Sequence, residues 1–444
     1  MHTETLAAPV EKIAVASPVA PKERIAILDS LRGIAILGIL LMNIPGFGLT
    51  ANGFDPFVLN ENSVNYNTWY FVQLFPDGTQ RALFSMLFGA GIILFVRSAE
   101  KKVDGIAPAD YFFRRQIWLF VFALIDIFAF LWLGDILLDY ALYGMFLFTF
   151  RKLSPKSLLI GAGVCLLLML ARENRDLFKD KSMISKGEAI EALKLPPEKL
   201  TLKQKDDLGA YTAFKERGTI AKRKERLERA ELMMGRSNYK DLYEFRTDRY
   251  IANIVHYTFF SAWDVLLFML LGMAFFKMGI LTGKASSGLY WWMFIIGSST
   301  GILLAYLHLQ PYIAAKGNAF EYTKNAPVEF YQLQRLLRSL GLFGLIMLLY
   351  KSNIFKWFFE LMRPVGRMAF TNYLMQSIIC GLFFYSVGFG MMGKLERHEL
   401  YYVVGAVWIF QIIFCNIWLR YYQFGPFEWA WRSLTYWQKQ PMRK

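Results

Sequence analysis

Asp29, Arg32 and Asn43 interrupt a long apolar run that begins near Ile25. A carboxylate, a guanidinium and an amide are costly in hydrocarbon, so their presence in a membrane helix marks function by default. Arg32 and Asn43 are eleven residues apart, about three helical turns and about 16 Å of rise, which leaves them nearly in line. Asp29, three residues before Arg32, shares the stripe. A guanidinium near one interface and an amide near mid-membrane suit a ligand with an anionic head and a long thin arm. Arg367, at the start of a later apolar segment, extends the same basic end, so Asp29, Arg32 and Arg367 are candidates to hold that anionic head.

Further polar groups mark other candidate positions. Asp77 and Arg81 are spaced for a helical ion pair, and Arg335 and Arg338 stand one turn apart, spaced to grip one anion. Asn372 and Gln376 share a helical face, so these six residues are candidate contacts to a substrate. Asp126 lies inside an apolar segment, where a carboxylate needs a partner or a proton; Asp135 is read as a helix cap. His256, Asp264 and His308 are the remaining acid–base candidates, and a lone membrane histidine more often hydrogen-bonds a neighbouring helix. Cys165, Cys380 and Cys415 all fall in apolar runs without metal-type spacing, so neither a disulfide framework nor a metal site is expected.

The elements that must position these groups follow from composition. A chain of 444 residues with 55% hydrophobic, 17% aromatic and 19% charged residues and a mean hydropathy of +0.31 reads as an all-α polytopic membrane protein. Apolar runs predict a bundle of about ten transmembrane helices at 27–48, 80–97, 113–133, 135–151, 156–172, 251–277, 288–309, 333–351, 366–388 and 400–420. The net charge of +15 comes from basic clusters flanking these runs. That placement points to membrane lipids as partners, argues against nucleic acid, and puts both termini in the cytoplasm of a bacterial inner membrane. The organisation is a flexible cytoplasmic tail (1–24), helices one to five (25–172), a charged helical extracytoplasmic insert (173–249), helices six to ten (250–420), and an interfacial helix with a basic tail (421–444). A homo-oligomer is compatible with all of this.

Several motifs together resemble the YeiB-like family, a domain of unknown function. They are Leu28-Asp-Ser-Leu-Arg-Gly33, Gly38-Ile-Leu-Leu-Met-Asn43, Arg81 to Gly91, Gly134-Asp-Ile-Leu137, Leu271-Gly-Met273, Gly366-Arg-Met-Ala-Phe-Thr-Asn-Tyr373 and Phe424 to Tyr436. The first helix is also similar to that of the wider transmembrane acyltransferases. That resemblance implies acyl-CoA as donor, Arg32 on the cofactor side and Asn43 on the reaction side. The sugar O-acyltransferases carry histidine where Asn43 stands, and this chain has no histidine between His2 and His256. Many YeiB-like members have histidine where this chain has Asp126, so the resemblance implies that Asp126, or a residue from a distant helix, serves as the proton acceptor beside Asn43. The expected activity is transfer of an acyl group from a cytoplasmic thioester to an extracytoplasmic, lipid-linked or small-molecule acceptor. The competing expectations are a small-molecule transporter or exporter and a non-catalytic lipid- or quinone-binding protein. No Walker motif, HExxH or nucleophile elbow supports ATP hydrolysis, zinc proteolysis or serine hydrolysis.

Overall fold

A computed structural model describes residues 25–49, 56–58, 62–235 and 238–444. Among these the architecture is all-helical, with one β-bridge joining Tyr422 to Arg443. Hydrocarbon explains the choice, since a backbone group there has no water to bond and each crossing segment must satisfy its own N–H and C=O groups. The helices in chain order are α1 (Ala26–Gly48), α2 (Ser63–Leu74), α3 (Thr79–Glu100), α4 (Ala107–Phe128), α5 (Leu137–Leu147), α6 (Pro155–Ala192), α7 (Leu202–Gly218) and α8 (Ile220–Gly235). There follow α9 (Tyr239–Lys277), α10 (Ser287–Ala314), α11 (Ala319–Asn325), α12 (Tyr331–Lys351), α13 (Lys356–Arg367), α14 (Ala369–Phe384), α15 (Leu400–Tyr421) and α16 (Pro426–Tyr436).

By length and composition, six stretches among the described residues could cross a membrane: α1, the α2–α3 stretch, α6, α10, α12 and α15. Expected boundaries moved where a local feature interrupts the apolar run. The segment at 113–133 stops at Phe128, where the chain turns through Leu131 at a φ of 58°, and α5 is correspondingly short. The segment at 366–388 divides at Met368 into α13 and α14, with Pro364 inside the last turn of α13. The charged segment 173–249 shows the opposite behaviour. α6 continues into it as far as Ala192 and α9 begins within it at Tyr239, because opposite charges three and four apart support a helix in water as apolar packing does in lipid. Ile184 of α6, Tyr211 of α7 and Phe320 of α11 form a second small core there. The tail expected at 1–24 lies outside the described residues, as do residues 236 and 237 of the insert.

The main core joins α1, α3, α9, α14 and α15 around residues such as Leu31, Met86, Met269, Cys380 and Cys415, all buried. α1 and α13 approach backbone to backbone. A Cβ at Gly33 would lie 2.3 Å from the Met362 carbonyl oxygen, and one at Gly366 would strike the Asp29 carbonyl. Only glycine permits that contact, and it fixes the polar stripe of α1 against the end of α13 that carries Arg367.

Candidate functional site

The stripe on α1 opens onto an elongated cavity of about 630 Å³ enclosed mainly by α1, α3, α4, α14 and α16. Its lining on α3 runs from Phe84 to Ala99, about 22 Å of helix at 1.5 Å per residue. One end is exposed and strongly basic: Arg32, Arg97, Lys101, Arg115, Arg367 and Arg432 line it, against two carboxylates, Asp29 and Glu428. Toward the other end the walls become apolar, with Phe84, Leu87, Phe88 and Leu119, and they close at Tyr140 and Leu137, both buried.

Several charged groups at the basic end have neighbours that hold them. Arg32 Nη1 donates to Asp29 Oδ1 at 2.9 Å, the i, i+3 pair its spacing offered. Arg115 lies with its guanidinium 4.0 Å from the Trp431 ring centroid and 5.0 Å from that of Phe95, and the Trp431 indole donates to the Arg115 carbonyl at 2.8 Å. This cation–π sandwich brings α16 against α4 and holds a cation at the cavity wall. Arg367 donates to the Gln423 carbonyl at 3.2 Å. Glu428 caps a neighbouring helix. It is buried and accepts from the backbone N–H groups of Phe370 at 2.8 Å and Thr371 at 2.9 Å and from the Thr371 hydroxyl at 2.5 Å. It thereby satisfies the orphan donors at the start of α14. Burial pushes the Glu428 carboxyl above its ordinary range, while the hydroxyl and amides of Thr371 and Phe370 pull it back.

The structure brings Asp29, Arg32 and Arg367 to one cavity and places the other sequence candidates elsewhere. Asn43 is half-buried and does not line the cavity. Asp126 is completely buried, with Ser377 and Asp135 among its polar neighbours. It is linked to the cavity only indirectly: Tyr373, a lining residue, donates to Asp135 Oδ1 at 3.1 Å and accepts from the Ile136 N–H at 3.0 Å. Asn372 and Gln376 tie helices together away from the cavity. Asn372 Nδ2 donates to the Val365 carbonyl at 2.9 Å, and Gln376 Nε2 donates to Gln411 Oε1 at 3.0 Å and to the Ile36 carbonyl at 3.2 Å.

The four charged candidates form a network distant in sequence from the one their spacing proposed. Arg81 pairs with Asp264 at 2.6 Å, and Arg335 pairs with the same carboxylate. Arg338 lies 3.8 Å from Asp77 and donates to the carbonyls of Gln73 and Leu74, while Tyr331 donates to Asp77 at 2.9 Å. Each arginine thus already has a carboxylate, so the pair does not present two open guanidiniums to one anion. His308 contacts Glu329 at 2.8 Å, and the Tyr322 hydroxyl donates to Glu329 at 2.6 Å; the side chain of His256 lies outside the described residues.

Sequence reasoning missed Arg115 and Arg432 as cavity residues, along with Gln116, Tyr373 and the whole contribution of α16. A usable signal existed for Gln116, an amide directly after Arg114-Arg115 at the start of an apolar segment.

Comparison with known proteins finds relatives over nearly the whole chain. Residues 275–438 match the family model described as Protein of unknown function (DUF418). The chain is 32% identical over 440 residues to Uncharacterized protein YxaH of Bacillus subtilis (strain 168), covering 96% of this chain and 98% of that protein. It is 30% identical over 445 residues to Uncharacterized protein YeiB of Escherichia coli (strain K12), covering 93% and 96%. No solved structure matches it.

Proposed function

Since the chain belongs to the YeiB-like DUF418 family of membrane proteins, we propose that it is a membrane-embedded acyltransferase taking its acyl group from a cytoplasmic thioester donor. The observation that carries this reading is the cavity: six cations at an exposed end and an apolar inner part behind them, in a cavity that follows about 22 Å of α3 in all, match a polyanionic head on a long arm. Arg32, Arg115 and Arg367 hold phosphate oxygens by charge-assisted hydrogen bonds. In this reading the protein crosses a bacterial inner membrane about ten times, with the basic end and both termini cytoplasmic and segment 173–249 outside, where a lipid-linked or small-molecule acceptor arrives.

During transfer an acceptor hydroxyl or amine attacks the thioester carbonyl, its proton passes to Asp126, and the thiolate leaves and is reprotonated. Asn43, about 16 Å farther along α1 than Arg32, polarises the reacting carbonyl. This requires the cavity to open past Tyr140. The closed end, and the absence of Asn43 and Asp126 from the lining, favour a second reading: a non-catalytic binder of an anionic lipid or quinone.

Titration of the purified protein with acyl-CoA, followed by assay of label released from the acyl-thioester, separates the two. Acyl transfer predicts saturable binding that Arg32→Ala weakens about ten- to a hundredfold, and turnover that Asn43→Ala slows without loss of binding. Binding without turnover moves the weight to the lipid-binding reading; absence of saturable binding overturns the donor site. Gly91→Trp provides an independent block. A Cβ there meets nothing nearer than Arg32 Nη2 at 3.9 Å, so the added ring enters the channel.

A further inference from the structure

Arg115 is half-buried and lines the cavity, and among the described residues its guanidinium has neither a carboxylate partner nor an acceptor for its N–H groups. It differs in this from Arg32, which donates to Asp29, and from Arg367, which donates to the Gln423 carbonyl. It differs also from Arg97 and Lys101, which are exposed and therefore solvated. The cations that act on Arg115, Arg432 and Arg32, are of its own sign. A partly buried cation kept beside other cations is unfavourable unless something compensates it.

What the protein supplies is aromatic: the rings of Trp431 and Phe95, at 4.0 and 5.0 Å from the guanidinium. Ring contact takes the faces of a guanidinium and leaves its edge, where the N–H donors point, to an approaching anion. Trp431 also fixes the backbone beneath, since its indole donates to the Arg115 carbonyl at 2.8 Å. One residue of α16 thus holds Arg115 at both its side chain and its main chain. A phosphate group supplies what is missing, an opposite charge and two acceptors in the plane of the fork, and an orientation set beforehand spares the ordering cost of binding.

We propose that Trp431 and Phe95 hold Arg115 as a preset fork for one phosphate group of the ligand, with Trp431 as its positioning residue. The inference rests on the reading of the basic end as a ligand site and deepens it. Arg115 is the cation kept for the ligand, whereas Arg32 and Arg367 are shared with the fold. The phosphate belongs to a nucleotide-type donor head or to a lipid headgroup, and the chemistry of recognition is the same for both.

The test is calorimetric titration of the purified full chain with coenzyme A and, separately, with short-chain phosphatidic acid. The tighter probe identifies the source of the phosphate. Arg115→Lys keeps the charge and removes the fork, so it should weaken that probe about tenfold. Trp431→Leu keeps apolar packing and removes the ring, with a similar loss, and Trp431→Phe should recover most of it. Because Trp431 acts through Arg115, the double variant Arg115→Lys with Trp431→Leu should bind about tenfold more weakly than wild type, not about a hundredfold. Additive losses, which a merely structural Trp431 would give, overturn the inference. So does wild-type affinity in Arg115→Lys, a result that needs no change at Trp431 and leaves the donor site standing on its saturable coenzyme A binding. Failure of wild type to bind either probe removes the ligand site and this inference with it.

Discussion

Asp264→Ala should be among the most damaging single substitutions in this protein, and the structure indicates why. Asp264 is 4% exposed and takes both Arg81 and Arg335. The two arginines are not equivalent. The Arg81 side chain is 35% exposed, so water replaces its partner at little cost, whereas that of Arg335 is 5% exposed and is left as an uncompensated buried charge. Removing one partner of a buried pair costs about 3–5 kcal/mol, and the ring faces of Phe268 at 4.9 Å and Tyr331 at 5.9 Å recover only part of that. The measurement is the denaturant midpoint of purified protein in detergent for wild type, Asp264→Ala, and Asp264→Leu combined with Arg335→Met. The single variant should lose several kcal/mol and the double variant should regain most of it, since well-packed apolar replacements of a buried pair are near neutral. A single variant within about 1 kcal/mol of wild type would refute the view that this network stabilises the fold, and would return Arg335 to the list of ligand contacts.

Three further outcomes are expected. Glu428→Ala leaves the Phe370 and Thr371 amides without their acceptor and should destabilise by about 1–3 kcal/mol for each unpaired donor. Glu428→Gln should be milder and should alter the pH dependence: the raised carboxyl contributes stability that is present below its unfolded value of about 4.3 and is lost as pH rises through the folded value, so wild type should lose stability relative to Gln across that interval. Unfolding midpoints over a pH series check both. For topology, Lys203→Cys on exposed α7 should react with a membrane-impermeant maleimide added from outside intact cells, since the native cysteines are all buried. Labelling confined to inverted vesicles would invert the proposed orientation.

The Arg32–Asp29 pair was legible because both members sit on one helix, where spacing dictates proximity. The same rule suggested Asp77 for Arg81, which instead pairs with Asp264, since spacing along one element says nothing about the carboxylates and amides that neighbouring helices bring. Arg115 reads from sequence as one more topology-setting cation; its stacking on Trp431 depends on a contact between residues 316 positions apart. Helix existence was legible from apolar runs, but the boundaries of α6 and α9 were not, because composition changes where the medium changes and a helix does not have to stop there. Asn372 and Gln376 carried the pattern of a binding face, and an interhelical hydrogen bond requires the same residue types.

The contribution of α16 to the cavity has a consequence for how the protein is made. Synthesis proceeds from α1 toward α16, so Arg115 on α4 is made before the more than 300 residues that separate it from Trp431. During that interval the basic end lacks one wall and its guanidiniums face whatever the translocation machinery and lipid headgroups provide. Anionic headgroups are the natural temporary counterparts, and arrival of α16 displaces them. Assembly of this protein is therefore expected to be sensitive to the anionic-lipid content of the membrane during biogenesis, even where the finished molecule is not.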